Sequence, residues 1–275
     1  MAFKEAARAA KPTDSGVTRQ RLTDERAKSA SVRLERITLA PGGAMQFNVS
    51  PKSLAWMQLL DGSATFHAYY TDRMTEVNSA FLPPGFIATL TTSQGAALLY
   101  AEVPDFMQVH PGSKIDRPLF IVTDWTREAV LASEHDARKR VPLVTPEMCD
   151  TTAIKVEMVI FPPGSMAPEC HHEGADSFMY VVAGRGTAMT NGQPYPVKQG
   201  DLIYCPDRER HALKAADDGE MRFVEFHVPA EFKTVWADPS NFSAWLATHR
   251  DIHGFETAID EKTRKAFRFV FPWVA

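Results

Sequence analysis

Short runs of alternating or continuously apolar residues recur along this chain, separated by clusters of Pro, Gly, Asn and Asp. The clearest runs are Ser31–Ile37, Ser63–Tyr70, Ala96–Val103, Ile154–Ile160, Ser177–Ala183 and Arg222–Val228. A period of two is typical of half-buried strands, and frequent turn residues between such runs favour an antiparallel sandwich or barrel. The pattern therefore predicts an all-β protein.

Helical patterns are restricted to short segments near the two ends. The predicted helices are Lys4–Ala10, Asn241–His249 and Asp260–Ala266. The final segment, Phe267–Trp273, is apolar enough to add an edge strand or to cover a core. The polar residues at the N-terminus are expected to form an arm.

Turn residues of the first half recur in the second half at a constant spacing. Three pairs are each separated by 122 residues: Gly42 and Gly164, Gly62 and Gly184, Pro84 and Pro206. Because turn glycines and prolines are placed by backbone geometry, this repeat predicts a duplicated barrel unit. The expected divisions are an arm over 1–30, a first barrel over 31–109, a linker over 110–149, a second barrel over 150–230 and a helical or strand extension over 231–275.

Composition narrows the class of protein. With 30 Lys and Arg against 34 Asp and Glu, the net charge of -4 gives no basic footprint for nucleic acid. The longest apolar runs are far shorter than the ~20 residues that span a bilayer, and residues 1–30 have no apolar signal segment. The odd number of cysteines, 3, favours a reducing compartment. We therefore expect a cytoplasmic protein without a nucleic-acid or membrane partner.

The second half also contains two motifs rich in metal-ligand residue types. One runs from Gly164 to Gly184 around Cys-His-His-Glu, and the other runs from Gly200 through Pro206 to His211. Together they resemble the two motifs of the cupin superfamily, in the expected order and spacing. With the internal repeat, the resemblance implies a bicupin, two tandem antiparallel jelly-roll barrels of the double-stranded β-helix type.

The resemblance also assigns metal-ligand positions. Two of them fall on Cys170 and His172, the last falls on His211, and the carboxylate position falls on Asp176 or Ser177. Alternate residues of a strand share a face, so the first two would project together into the barrel. A cation held by two His and one carboxylate suits Fe(II), Mn or Ni, whereas a cysteine ligand favours Zn, Cu(I) or Fe. We expect one divalent cation per chain, of Fe, Mn, Zn or Ni.

Other interpretations of these residues stay open. A bulge would move the register by one residue and direct His171 and Glu173 inward. Alternatively, the His pair is a surface loop feature, Cys170 is a small buried apolar residue, and Asp176 caps a turn. His227, on the closing strand, either faces the same cavity or is a core histidine.

The first half serves as an internal control. At the 122-residue spacing, Cys170, His171 and His172 match Asn48, Val49 and Ser50, and His211 matches Thr89. No imidazole or carboxylate occupies these positions, so the first barrel is expected to bind no metal.

The sequence therefore predicts a metal-dependent bicupin enzyme, of oxygenase or hydrolase and lyase type, acting on a small polar or aromatic metabolite in the second barrel. Tyr180, Tyr204 and Arg208 are candidates for orienting substrate or transferring protons. The alternative is a metal-free bicupin that binds a small molecule or has a structural role. The chain resembles the ureidoglycine aminohydrolase group in architecture, although only His172 keeps that group's ligand type. Since cupins commonly dimerise, we expect a homodimer.

Overall fold

The computed structural model describes residues 2–3, 16–23, 31–68, 71–109 and 120–257. Strands dominate this part of the chain, and its helical elements are α1 (Phe106–Val109), α2 (Pro146–Cys149) and a 3-10 turn over Trp125–Arg127. The prediction of an all-β fold is confirmed. The segments Lys4–Ala10, Asp260–Ala266 and Phe267–Trp273 lie outside the described residues.

The strands before the middle of the chain are β1 (Ala2–Phe3), β2 (Val17–Arg21), β3 (Arg33–Leu39), β4 (Ala44–Asn48), β5 (Leu54–Gly62), β6 (Ala64–His67), β7 (Thr71–Met74), β8 (Asn78–Leu82), β9 (Ile87–Thr91), β10 (Ala96–Val103) and β11 (Ile121–Asp124). Those that follow are β12 (Leu131–Ser133), β13 (Lys139–Val144), β14 (Lys155–Phe161), β15 (Cys170–Glu173), β16 (Asp176–Ala183), β17 (Arg185–Thr190), β18 (Gln193–Lys198), β19 (Leu202–Cys205), β20 (His211–Ala215), β21 (Met221–Val228), β22 (Lys233–Trp236) and β23 (Trp245–Ala247).

The chain divides into two compact units. The N-terminal unit includes the described residues from 16 to 125, and its sheets have the strand orders β11-β8-β5-β10-β3-β2 and β4-β9-β6-β7. Its core draws on both sheets and is rich in aromatic rings. Phe66 stacks on Phe47 and on Phe120 with ring centroids 5.3 Å apart, and Phe120 stacks on Phe86 at 4.7 Å.

The C-terminal unit includes residues 2–3, 126–146 and 154–257. Its sheets have the orders β1-β19-β16-β21-β14-β13-β12-β23 and β18-β17-β20-β15-β22. One end of each central strand is apolar and belongs to the core, such as Phe161 on β14 and Phe223 on β21. At the other end, the same faces carry Glu157 and His227. The inward surface therefore changes from apolar to polar along the barrel.

Segments outside the expected barrels also contribute strands, among them β1 and β2 of the expected arm. Residues 121–144, expected in a linker, supply β11 to one unit and β12 and β13 to the other. The helix expected over Asn241–His249 is wrong, because this segment forms β23, which pairs with β12. A nine-residue helix is marginal on its own, whereas pairing with a sheet edge satisfies the backbone hydrogen bonds.

The repeat holds in the structure with one local shift. Gly42 and Gly164 have φ angles of 75° and 73°, and Gly62 and Gly184 both have 77°, so these turns match at a spacing of 122. In the ladders that carry the candidate ligands, however, Phe47 pairs with Ala88 and Cys170 pairs with His211, a spacing of 123. Because side chains alternate along a strand, the shift exchanges the two faces. The inward counterparts of Cys170 and His211 are therefore Phe47 and Ala88, and not Asn48 and Thr89.

Within the described residues, no helix combines the length and the apolar character needed to cross a bilayer.

Candidate metal centre

A cavity of about 370 Å³ opens at the polar end of the C-terminal unit. It lies at the lower end of the range of small-molecule sites, which is roughly 300–1,000 Å³. The lining combines three histidines, one cysteine, acidic and basic side chains, and aromatic rings. These lining residues include Arg140, Lys155, Cys170, His172, His211, Glu225, His227, Phe232, Thr234, Trp236 and Trp245.

Two adjacent strands bring the first candidate ligands together. Cys170 and His172 lie two residues apart on β15, so they share its inner face, and Cys170 pairs with His211 on β20. The ligand atoms of these three residues all lie within 4.8 Å of one another. The side chains predicted from the motif spacing therefore meet at one point of the cavity.

Hydrogen bonds orient both imidazoles. His211 Nδ1 lies 2.9 Å from the carbonyl oxygen of Glu209, and since a carbonyl only accepts, Nδ1 carries the proton. The remaining Nε2 lies 3.8 Å from Cys170 Sγ. His172 Nδ1 lies 3.1 Å from Thr234 Oγ1, which leaves its Nε2 available. Such outer hydrogen bonds are the usual means of fixing the tautomer of a histidine that binds metal.

A third histidine reaches the cavity from the closing strand. His227 on β21 pairs with Ser177 on β16, and its ring is stacked on Phe232 with centroids 4.1 Å apart. Its side chain is 1% exposed. With His172 and Glu225 it forms a second group of ligand atoms within 4.8 Å.

Charged side chains surround the histidines. Arg140 lies 3.2 Å from Glu157 and 3.5 Å from Glu225, while Lys155 lies 3.0 Å from Glu157. Burial alone would raise the pKa of Glu157, but the charges of Arg140 and Lys155 outweigh it and leave the pKa below its ordinary value. The Glu157 carboxylate therefore stays ionised at neutral pH and holds both cations in place.

The histidines differ in proton affinity. Burial, together with the charges of His211, Arg140 and Lys155, lowers the pKa of His172 to about 3. Burial lowers the pKa of His227 well below its ordinary value as well. Burial also opposes protonation of His211, but Cys170 outweighs it and raises the pKa of that imidazole. At neutral pH, His172 and His227 are neutral and offer lone pairs.

The structure does not bring every predicted site residue to the cavity. Tyr180 and Tyr204 are buried, but they alternate with Met179 and Cys205 of the core and therefore lie on the opposite sheet face. Tyr204 stacks on Phe178 at 4.8 Å. The sheet therefore lies between these two tyrosine side chains and the cavity.

Three further candidates also lie outside the lining. Arg208 has a 67% exposed side chain that contacts Glu173 at 3.5 Å, and its backbone N–H donates to the His172 carbonyl. Asp176 Oδ1 accepts the backbone N–H of Asp207 at 3.0 Å. His171 lies on the other face of β15, 3.7 Å from Glu173. The bulge that would turn His171 and Glu173 inward is absent from the ladder between β15 and β22.

A family model described as a cupin domain matches residues 157–227, which span the candidate ligands from β15 to β21. This chain contains a cupin domain. The structure also resembles two solved structures: a variant of oxalate decarboxylase from Bacillus subtilis (TM-score 0.69, 14% identity, 86% of this chain and 79% of that chain) and protein Ylba from E. coli (TM-score 0.66, 13% identity, 84% and 90%). At these identities the likeness is one of fold. The Bacillus enzyme has Mn(II) centres.

Curated relatives match less than a third of this chain. The chain is 30% identical over 86 residues to the protein named polyketide synthase CurC from Streptomyces cyaneus, and 29% identical over 86 residues to protein SchB from Streptomyces halstedii. These matches cover 31% of this chain and span 55% and 62% of the two relatives. The transcriptional activator RhaS from Yersinia pestis is 32% identical over 71 residues, 26% of each chain.

Much of the cavity wall lies outside the two cupin motifs. Arg140 comes from β13, Phe232 and Thr234 from the segment after the barrel, and Trp245 from β23. The Arg140 guanidinium lies over the Trp245 ring, 4.5 Å from its centroid. The sequence analysis missed these residues. The one available signal was the high density of aromatic and charged residues in these flanking segments.

Proposed function

We propose that the C-terminal cupin domain is the catalytic centre of a metal-dependent enzyme that acts on a small polar or aromatic metabolite. Cys170, His172 and His211 would hold one divalent cation. The observation that carries this proposal is the orientation of the two imidazoles: each Nδ1 has an oxygen partner, and the Nε2 atoms remain available. A thiolate and two imidazoles form a donor set that suits zinc or iron.

When bound, the cation would supply Lewis acidity to a substrate oxygen. The protein's own side chains would bind and orient the substrate. Arg140 uses its terminal nitrogens for Glu157 and Glu225, while its buried Nε has no hydrogen-bond partner within the part of the chain that is described. The guanidinium group also lines the cavity, so its positive charge favours a substrate with a carboxylate or another anionic group.

The aromatic wall favours a compact substrate with an apolar part. Phe232, Trp236 and Trp245 line the cavity together with the charged groups. Such rings exclude water from the polar end and present flat apolar surfaces to a planar molecule. We therefore favour small carboxylic or hydroxylated compounds, including aromatic ones.

The test is metal binding followed by turnover. Protein purified without chelator is expected to contain about one equivalent of metal per chain, and His172→Ala and His211→Ala are expected to lose it. His171→Ala is the matched control, since this neighbouring imidazole lies on the other face of β15 and its loss should leave the metal content unchanged. Less than about a tenth of an equivalent in the wild type after reloading would overturn the proposal.

Turnover is measured with the metal-loaded protein on a panel of small carboxylic and phenolic compounds, by mass spectrometry of substrate loss. Activity that disappears in His172→Ala and persists in His171→Ala supports the proposal. Equal activity in both variants contradicts it. The cytoplasmic location and the homodimer stay predictions, the latter testable by sedimentation of the full chain.

A further inference from the structure

We propose that His227 is an additional ligand of the same cation, supplied by the closing strand β21 in place of the carboxylate that the cupin pattern puts on β16. This inference rests on the proposed metal centre and adds a ligand to it. It concerns a residue on a strand to which neither motif assigns a ligand.

Strand pairing places His227 where the missing ligand is needed. The side chain on β16 that shares the inner face with Met179 is Ser177, which has no carboxylate, whereas Asp176 holds the backbone of Asp207. Ser177 pairs directly with His227. Residues that pair across antiparallel strands have Cβ atoms about 4.5–5.5 Å apart, so the imidazole stands beside the ligand position that Ser177 cannot fill.

The His227 ring stacks on Phe232, but this contact does not involve its nitrogen atoms as donors or acceptors. Neither ring nitrogen has a hydrogen-bond partner in the described part of the protein, although the side chain is 1% exposed. Glu225 Oε1 lies 3.8 Å from Nε2, which is longer than a hydrogen bond. Buried polar groups are nearly always paired, and a buried imidazole without a partner at a cavity wall points to a ligand absent from the protein chain.

The grouping of ligand atoms favours one cation over two. Both groups of three contain His172, in the first with Cys170 and His211, and in the second with Glu225 and His227. Only one nitrogen of His172 is available, because Nδ1 faces Thr234. A cation bound to that nitrogen lies near both groups. Glu225 is held by Arg140 at 3.5 Å, which leaves His227 as the group that is free to complete the centre.

The experiment measures zinc affinity by competition with a chromophoric chelator. His227→Ala is expected to weaken zinc binding by more than about tenfold, since even outer partners of metal ligands contribute about 10–100-fold. His227→Gln fills a similar volume and should show a similar loss, and circular dichroism of the metal-free variants checks that they fold. Ser177→Ala is the matched control on the paired residue and should bind zinc as the wild type does.

X-ray absorption of the zinc-loaded wild type provides a readout that needs no variant. We expect three imidazole ligands at about 2.0–2.1 Å and one sulfur at about 2.3 Å. Two imidazoles, or unchanged affinity in both His227 variants while His172→Ala loses zinc, would overturn this inference and leave the proposed function standing. A wild type that binds no zinc, iron or manganese would overturn both.

Discussion

The two units use corresponding strand positions for opposite purposes. In the C-terminal unit, the paired positions on β15 and β20 hold Cys170 and His211, and in the N-terminal unit the paired positions on β4 and β9 hold Phe47 and Ala88. On the closing strands, Glu225 pairs with Met179, while Tyr100 pairs with Met57. Each of these polar groups around the cavity thus has an apolar or aromatic counterpart.

The difference shows what the repeated backbone leaves open. Strand pairing fixes which positions face the interior, but it does not fix what fills the interior. The N-terminal unit fills it with stacked phenylalanine rings, which need no partner atoms. The C-terminal unit leaves a cavity and surrounds it with groups that are only satisfied by one another or by a ligand. The candidate metal centre therefore differs from the N-terminal core in the residues at a few inward positions, while the strand pairing is shared.

The largest expected effect comes from breaking the aromatic core of the N-terminal unit. Phe66 is 1% exposed and stacks on Phe47 and Phe120. Phe66→Ala should lower the free energy of unfolding by about 3–5 kcal/mol, because it removes buried surface and leaves a void. Chemical unfolding combined with hydrogen exchange, which assigns the change to one unit, measures it.

Phe232→Ala is the comparison variant in the other unit. This ring already borders a cavity and is only half-buried, so its loss should cost less than half as much. Equal costs for the two substitutions would contradict the view that one interior is filled and the other is open.

The second prediction concerns matched ion pairs on β3 and β14. Glu35 and Glu157 are 122 residues apart, and each pairs with an arginine: Arg19 at 2.6 Å and Arg140 at 3.2 Å. The side chains of Arg19 and Glu35 are 44% and 15% exposed, whereas those of Arg140 and Glu157 are 24% and 2% exposed. Glu157→Gln should cost about 3 kcal/mol, because Lys155 loses its carboxylate partner and Arg140 keeps only Glu225. Glu35→Gln should cost at most about 1 kcal/mol.

The pH dependence of the same pair sharpens the comparison. Because the pKa of Glu157 is lowered in the folded protein, its contribution is complete above the ordinary pKa of 4.5 and disappears as pH falls through the folded value. The stability difference between wild type and Glu157→Gln should therefore be constant near neutral pH and shrink below about pH 4. A difference that grows on acidification would contradict this assignment.

The smallest effect is expected at the turn that precedes β9 and β20. Gly85 and Arg208 both have positive φ, at 73° and 65°. Arg208→Gly should relieve backbone strain of about 1 kcal/mol and slightly stabilise the protein, whereas Gly85→Ala should cost a similar amount. Unfolding in urea measures both. Metal content and turnover of Arg208→Gly should equal the wild type, and a loss of turnover would restore Arg208 as a catalytic candidate.

Local sequence patterns were enough to predict the all-β fold and the two motif strands. Alternation of side chains predicted an all-β chain, and the turn glycines predicted the repeat, since both depend on local backbone geometry. The Cys-x-His spacing placed Cys170 and His172 on one face for the same reason. One-residue shifts between the repeats could not be detected, because turn residues mark the ends of strands and not the pairing between them.

Only the tertiary structure decided which other residues belong to the cavity. His227 lies beside Ser177, Arg140 reaches Glu225, and Trp245 covers Arg140, although these partners are far apart in sequence. Such proximity depends on which strands pair and in what register, and no local pattern carries that information. Tyr180 and Tyr204 illustrate the converse: they are near the motifs in sequence, and the alternation of their strands turns them away.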